Sequence, residues 1–481
     1  MTARMAAQTV PGTLTVLVYG LGRSGGAAAR LLCAQGHEVW TFDAAAPQGD
    51  DLAALGCRRT DAPLEVPADV CVAAPGVPYG APDLVALRAR GVETIGEVEW
   101  VYRTVAADII GITGTAGKTT TTRWVSHVLT RAGLHAPAGG NVDPALSAVA
   151  EAGRVLVTEL SSFQLERCPT LKPSVAVILN LGEDHLDRHG SVAAYHAAKR
   201  NLLANLTASE TFVYNHDDPL LRRWAEASPA RCWGFSAYDE GAAAYIAGGT
   251  LFLHGRPLVE AAELKPGHHL PNALAVALTC LAKGVSREAI RDGLMSFGGV
   301  AGRYSLVLER AGVRFIDDSV ATRTLAVQAA LAATPAPVVW IVGGQDKGAE
   351  LGALELIVRE RVVRCVGIGE AGRAFTERVA AWTETSYIDL KDGDEAMLAA
   401  VTEAADTLRE GGGTVLLAPL AASFDQFRDY QDRARAFRHA AAVVAETLAG
   451  TSTETSSELA SAPARTPDAS DTEQEPLWTR S

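Results

Sequence analysis

Residues 109–122 read Ile-Ile-Gly-Ile-Thr-Gly-Thr-Ala-Gly-Lys-Thr-Thr-Thr-Thr, an apolar run that breaks into a Gly/Thr turn before a helix-compatible stretch from Lys118 to Arg131. The order is strand, phosphate loop, helix. A loop without Cβ atoms can turn its backbone N–H groups toward phosphate oxygens, with the positive end of the following helix behind them. Gly114, Thr115, Ala116, Gly117, Lys118, Thr119 and Thr120 are therefore the candidate phosphate-binding residues. Lys118 is suited to the outer phosphates and the Thr119 hydroxyl to Mg²⁺. The match to the usual phosphate-loop spacing is not strict, because Gly111 lies one residue too far upstream and Ile112 sits where the first glycine is expected. An ordinary glycine-rich turn is the competing explanation, disfavoured by Lys-Thr directly after glycine at the end of an apolar strand.

Composition limits the partners of such a loop. At 481 residues the chain has room for about three domains, and 48% hydrophobic residues can fill their cores. A net charge of −13, from 43 basic and 56 acidic residues, argues against a nucleic-acid backbone as partner, so any nucleotide bound is a small molecule. The seven cysteines (33, 57, 71, 168, 232, 280 and 365) lack CxxC or zinc spacing and read as reduced core thiols of a cytoplasmic protein. No apolar run reaches the length of a membrane span and no secretory leader is recognisable, so a membrane partner is not expected.

Upstream, Thr13–Tyr19 is β-rich and runs into Gly20-Leu-Gly22-Arg-Ser-Gly25, an Ala/Leu helix pattern, and a second strand, Glu38–Phe42, ending in Asp43. Alone this is a Rossmann-like Gly-x-Gly-x-x-Gly fingerprint with an acidic residue about 20 positions on, as for NAD. Strand Val70–Ala73, the turn Pro75-Gly-Val-Pro78, helix Pro82–Arg90 and strand Val92–Ile95 continue the alternation and imply a doubly wound parallel sheet. Its ligand belongs at the carboxyl ends of the strands, near Gly22, Ser24, Asp43 and Gly76.

After the phosphate loop, Gly139-Gly-Asn141 precedes a Pro-started helix at 143–150, strand Val155–Thr158 delivers Glu159, and strand Val175–Leu179 delivers Asn180 and then Gly182-Glu-Asp-His185. A strand-end acid beside a phosphate loop is where a nucleotide-bound Mg²⁺ finds a protein ligand, and Glu159 and His185 both qualify. Lys199 lies among alanines in a helix at 192–205, where by sequence alone surface decoration is the favoured reading. Segments 211–215 and 231–235 read as strands and 242–257 as a hairpin. His268-His-Leu-Pro-Asn272 opens a helix to Lys283; the paired histidines suggest a metal, while Asn272 is equally suited to face a nucleotide base.

Three glycines in Gly298–Gly302 mark a hinge. Beyond it the pattern is again α/β: strands at 304–309, 313–316, 338–342, 362–368 and 414–418, a helix after Thr322, a Gly-Gly-Gln-Asp-Lys347-Gly turn, and a helix at 425–448. From Gly450 the chain is Ser/Thr/Glu/Ala-rich and is expected to be disordered.

The Gly-Thr-x-Gly-Lys-Thr loop, Glu159-Leu-Ser-Ser-Phe-Gln-Leu165, Asn180-Leu-Gly-Glu-Asp-His-Leu-Asp187 and Gly343-Gly-Gln-Asp-Lys-Gly348 together resemble the Mur ligase family, over about residues 14–445. The resemblance implies a three-domain α/β enzyme. A Rossmann-like N-terminal domain (1–106) holds the UDP end of a precursor rather than NAD, a central P-loop ATPase-type domain (107–301) holds ATP, and a Rossmann-like C-terminal domain (302–449) contacts ATP and the amino acid, before the tail at 450–481. It further implies a monomer acting on the small molecules UDP-N-acetylmuramoyl-L-alanine and D-glutamate in peptidoglycan precursor synthesis. By motif match, Lys118, Thr119 and Glu159 serve the phosphates and a first Mg²⁺, and His185 a second. Lys199 matches the family's carbamylated lysine, which reverses the reading from the residues alone. Asn141 matches a precursor contact. Asn272, Arg303 and Asp318 match ATP contacts, and Thr322, Lys347, Ser423 and Tyr430 line the amino-acid site.

The departures fall near the chemistry. Ala116 replaces a usual Asn and Gly302 a usual His. Val320 replaces a usual Lys, Arg323 a usual Asn and Ala421 a frequent Cys. A sister ligase for another amino acid, or a weakened nucleotide-binding homologue, are the alternatives these changes raise. An NAD oxidoreductase leaves the phosphate loop unexplained.

Overall fold

The structure, a computed structural model, describes residues 12–45, 50–265, 269–346 and 348–450. Lys347, His268 and the tail beyond residue 450 lie outside the described residues. The described strands form three sheets in chain order. The first comprises β1 (Thr15–Tyr19), β2 (Glu38–Phe42), β3 (Arg58–Arg59), β4 (Val70–Ala73) and β5 (Glu93–Ile95), ordered β3-β2-β1-β4-β5 and parallel throughout. Val16, Leu17 and Val18 are fully buried, as a strand with helices on both faces requires.

The second sheet holds β6 (Asp108–Thr113), β7 (Ala138–Gly140), β8 (Val155–Glu159), β9 (Val175–Ile178), β10 (Thr211–Asn215), β11 (Arg231–Ser236), β12 (Ala244–Ala247), β13 (Thr250–Leu253) and β14 (Arg256–Glu260). Their order is β14-β13-β12-β11-β10-β9-β6-β8-β7, parallel from β7 to β12 and closed by two antiparallel strands. The chain passes from β8 to β9 across β6, so β6 is the switch point of the sheet. The crevice at its carboxyl end, flanked by the ends of β8 and β9, is where such sheets bind ligands. The third sheet, β15 (Ser305–Arg310), β16 (Val313–Asp317), β17 (Val338–Gly343), β18 (Val362–Ile368), β19 (Glu384–Tyr387) and β20 (Gly413–Leu417), runs β15-β16-β20-β17-β18-β19 with only β15 antiparallel.

Helix Lys118–Arg131 follows β6 directly, as its sequence predicts. Trp124, Val125, Val128 and Leu129 bury one face of it against helix Leu270–Ala282 and the sheet. Gly293 lets helix Arg287–Ser296 approach, since a Cβ there would lie 2.9 Å from Val128. Gly111 proves to be a packing glycine inside β6, where a Cβ would meet Leu202 at 2.8 Å. Gly111 is therefore a glycine of the strand and no part of the loop.

Several element boundaries differ from the sequence reading. The helix expected over 143–150 is only Leu146–Val149, because the Pro144 carbonyl accepts from Gly140 and so serves the neighbouring strand. The helix at 192–205 ends at Arg200 and tightens into a 3₁₀ turn, Asn201–Leu203. The last helix starts at Tyr430 rather than 425, because the Asp429 carboxylate accepts from the N–H groups of Gln431 and Asp432 and caps it there. Strand β19 and the helices Gly369–Val379 and Gly393–Thr407 were not anticipated.

Candidate active site at the phosphate loop

The loop between β6 and its helix is braced from β9. The Asn180 side-chain oxygen accepts from Thr115 N (3.0 Å) and Ala116 N (2.8 Å), and its amide donates to Ala116 O (3.1 Å). Gly182 N donates to the Thr115 hydroxyl at 2.9 Å. Gly117 takes φ +80°, a left-handed conformation that suits glycine, and a Cβ there would sit 2.9 Å from the Asn272 amide. Asn272 thus packs on the loop itself, at the buried start of its helix. His269 hydrogen-bonds Asn272 and is pushed down by burial. Of the histidine pair that suggests a metal, His269 is thus engaged with its neighbour, and His268 lies outside the described residues.

Two amines share one carbonyl. Lys118 donates to Gly114 O and Thr115 O, both at 2.9 Å, and Lys199 donates to the same Gly114 O at 2.8 Å. Lys199 is 1% exposed and lies over the Tyr195 ring at 4.5 Å. Burial, then the Lys118 charge, push its ammonium down to about 7. Burial also pushes Lys118 down, opposed by Glu159. Lys199 is a core residue and not surface decoration.

Glu159, at the end of β8, is buried. One of its oxygens accepts from the Thr119 hydroxyl (2.6 Å) and the other from Asn141 (2.7 Å). Among the described residues no group of three or more His, Cys, Asp or Glu could hold a metal. The Thr119 hydroxyl and Glu159 carboxylate nevertheless fit Mg²⁺, which is held beside phosphates by one or two protein oxygens and keeps its waters. His185 lies across the loop with φ +53°. Its ring is 4.7 Å from Phe163 and 6.2 Å from Tyr195, the same tyrosine that Lys199 covers.

The third sheet reaches this site. Arg303 and Arg323 both act electrostatically on Lys118, and Arg323 forms an ion pair with Asp184. Asp318, after β16, is pushed up to about 7 by burial and faces Arg303 and the Tyr304 backbone. Thr322 adjoins Arg323 and donates to Val320 O. Gln345 and Ala422 pair their backbones (2.8 and 3.0 Å), which sets the segment leading to Lys347 beside that of buried Ser423. Tyr430 is half-exposed at the head of the last helix, its hydroxyl engaged by Gln431.

The first sheet contributes its strand ends. Asp43 accepts from Leu21 N (2.6 Å) and Ala45 N (2.8 Å), bracing the glycine turn, and Ser24 hydrogen-bonds Glu97. The Gly76 carbonyl accepts from Arg188 at 3.4 Å and that of Val77 from Arg167 (2.7 Å) and Arg188 (2.9 Å). Sequence reasoning missed Arg167 and Arg188, for which there was no signal, the bracing role of Asn180, whose place at the end of the strand next to the loop was one, and the partner of Arg323, which it noted only as an added charge near the chemistry.

Parallel sheet, switch-point strand and lysine-bearing loop define an α/β protein of the phosphate-loop class. More narrowly, the chain belongs to the Mur ligase family. Residues 112–280 match the Mur ligase middle domain. The chain is 47% identical over 437 residues to a "UDP-N-acetylmuramoylalanine--D-glutamate ligase" of Thermus thermophilus, covering 88% of this chain and 96% of that one. A relative of the same name from Deinococcus radiodurans is 42% identical over 447 residues, 90% and 93% of the two chains. In fold, the chain resembles the solved UDP-N-acetylmuramate-alanine ligase MurC of Thermotoga maritima (TM-score 0.54, 19% identity, 89% and 98% covered). It also resembles the MurF ligase of the same organism in complex with ADP (TM-score 0.57, 18% identity, 85% and 95% covered). No helix among the described residues is long and apolar enough to cross a membrane.

Proposed function

We propose that this chain is the ATP-dependent ligase that joins D-glutamate to UDP-N-acetylmuramoyl-L-alanine in peptidoglycan precursor synthesis. The likeness to ligases of that name, 47% over almost the whole of both chains, carries the substrate assignment. The reaction class follows from the family likeness, and the loop fits its ATP step. The precursor carboxylate attacks the γ-phosphorus of ATP, ADP leaves, and the amine of D-glutamate then displaces phosphate from the acyl phosphate.

For phosphoryl transfer a protein mainly positions reactants and neutralises charge. Loop amides Gly114–Thr120 cradle the phosphates and Lys118 meets the outer ones, supported by its place at the loop mouth. Bound Mg²⁺ supplies positive charge at the phosphates, held by Thr119 and Glu159. A second ion at His185 requires Lys199 to carry a carbamate, since the free ammonium repels a cation. Its low proton affinity and burial favour that modification: a neutral amine attacks CO₂, and the proton leaves. Asn141, held by Glu159, faces the precursor, whose uridine diphosphate end takes Ser24, Asp43 and Gly76. Asn272, Arg303 and Asp318 hold the nucleotide. Thr322, Lys347, Ser423 and Tyr430 receive D-glutamate, with Lys347 offered to a carboxylate. The units divide at 106/107 and 301/302, and the enzyme works as a cytoplasmic monomer.

Phosphate release from ATP is the test, with the precursor and D-glutamate, L-glutamate, other amino acids or no amine. Release with D-glutamate alone is expected. Release with another amino acid makes the chain a sister ligase, and none with any makes it a weakened nucleotide-binding homologue.

A further inference from the structure

Arg323 stands just ahead of helix Thr324–Ala333 in the third unit, in extended backbone, and its guanidinium reaches Asp184 of the middle unit. The arginine side chain is 60% exposed and the aspartate 14%. An ion pair so open to water contributes about 0–1 kcal/mol to stability, so holding the fold together does not explain it.

What Asp184 does next is more specific. Its Oδ1 accepts from the His185 backbone N–H at 2.7 Å, and its Oδ2 lies 3.5 Å from His185 Nε2. One carboxylate therefore holds the backbone, and lies beside the ring, of a histidine whose φ of +53° is uncommon without glycine. A backbone of that kind persists where its surroundings over-determine it. Phe163 covers the ring from another side. Arg323 meets Asp184 through Nη1 on Oδ1, the oxygen that also accepts from the His185 backbone, and its planar guanidinium suits a carboxylate better than a lysine's point charge. It is also close enough to act on the charges of Lys118 and His185.

We propose that Arg323 is a positioning residue for phosphoryl transfer: by docking on Asp184 it sets the His185 backbone and ring, and so completes the phosphate end of the site when the third unit is seated on the second. This rests on the proposed ligase function for its kinetic consequence, though not for its geometry.

The test compares wild type with Arg323→Ala, Arg323→Lys, Asp184→Asn and the double variant Arg323→Ala/Asp184→Asn. Steady-state kinetics of D-glutamate-dependent phosphate release are read beside the electron paramagnetic resonance spectrum of Mn²⁺ bound with ADP. Arg323→Ala should lower kcat by about tenfold or more, as small misplacements do, with KM for the precursor unchanged, and should alter the Mn²⁺ spectrum. Arg323→Lys should recover part of kcat, and the double variant should be no worse than the poorer single one. Unchanged kcat and spectrum in Arg323→Ala, additive losses in the double variant, or a fall in kcat matched by a rise in every KM would each overturn the inference. A wild type that releases no phosphate with any amine refutes the ligase reading instead. The Mn²⁺ spectra then still decide whether Arg323 shapes the site.

Discussion

Lys118 and Lys199 place two amines on one carbonyl oxygen, Gly114 O, in a setting that disfavours a double positive charge. Lys118→Ala should abolish phosphate release by removing γ-phosphate stabilisation, with near-normal turnover refuting its role. Lys199→Ala should be inactive and regain partial activity with added short carboxylates, which stand in for a carbamate. Full activity without them would make the lysine a packing residue. Asp318 gives a pH-dependent expectation. Its carboxyl is raised from an ordinary 3.8 to about 7, so the folded chain holds a proton there that the unfolded chain has lost, and stability falls as pH rises through that window. Asp318→Asn should therefore raise Tm at about pH 8, the advantage shrinking as pH falls from about 7 and gone below about pH 4, while weakening ATP binding. Calorimetry across that range checks the sign. At this scale the sequence was uneven. Lys118, Thr119 and Glu159 were legible because strand-end and loop chemistry is local. Lys199 was not, because its flanking alanines say nothing of the loop packed above it, and only the family resemblance pointed to it.

Strand ends were the most legible elements: β2, β4, β10, β18 and the phosphate-loop helix fall where the apolar pattern puts them. Errors gathered where side chains set boundaries, as when Asp429 capped the last helix, or where a polar edge strand such as β19 lacks an apolar pattern. The short helix Leu186–His189 was legible only as a motif. His185 precedes it, and Arg188 at its far end covers Phe163 at 4.0 Å and donates to the loop carrying Gly76. Arg188→Ala should raise KM for the precursor by about tenfold, the worth of one charge-assisted hydrogen bond, and leave KM for ATP within twofold. A change confined to ATP would refute that coupling.

Across the whole molecule, the units are joined by buried polar contacts that no local pattern could reveal. Glu99, fully buried, accepts from Thr170 N (3.1 Å), Leu171 N (3.0 Å) and Arg103 Nε (2.8 Å), seating helix Glu97–Thr104 on the middle unit. Glu99→Gln should cost about 2–3 kcal/mol, seen as a lowered midpoint in urea, because it leaves buried donors poorly matched. The glycine-rich segment 298–302, with Gly302 at φ +74°, runs just ahead of Arg303, whose charge reaches Lys118, and is the hinge we propose. Ligand-driven closure about it should shrink the scattering radius when ATP and precursor are both added. Residues 184–189 meet the third unit through Asp184 and the first through Arg188. Six consecutive residues wired to both neighbours are placed to act as a logical AND, so turnover is expected to need precursor and third unit together. Idle hydrolysis of ATP without precursor should therefore be negligible, and loosening either arginine should make the enzyme leak.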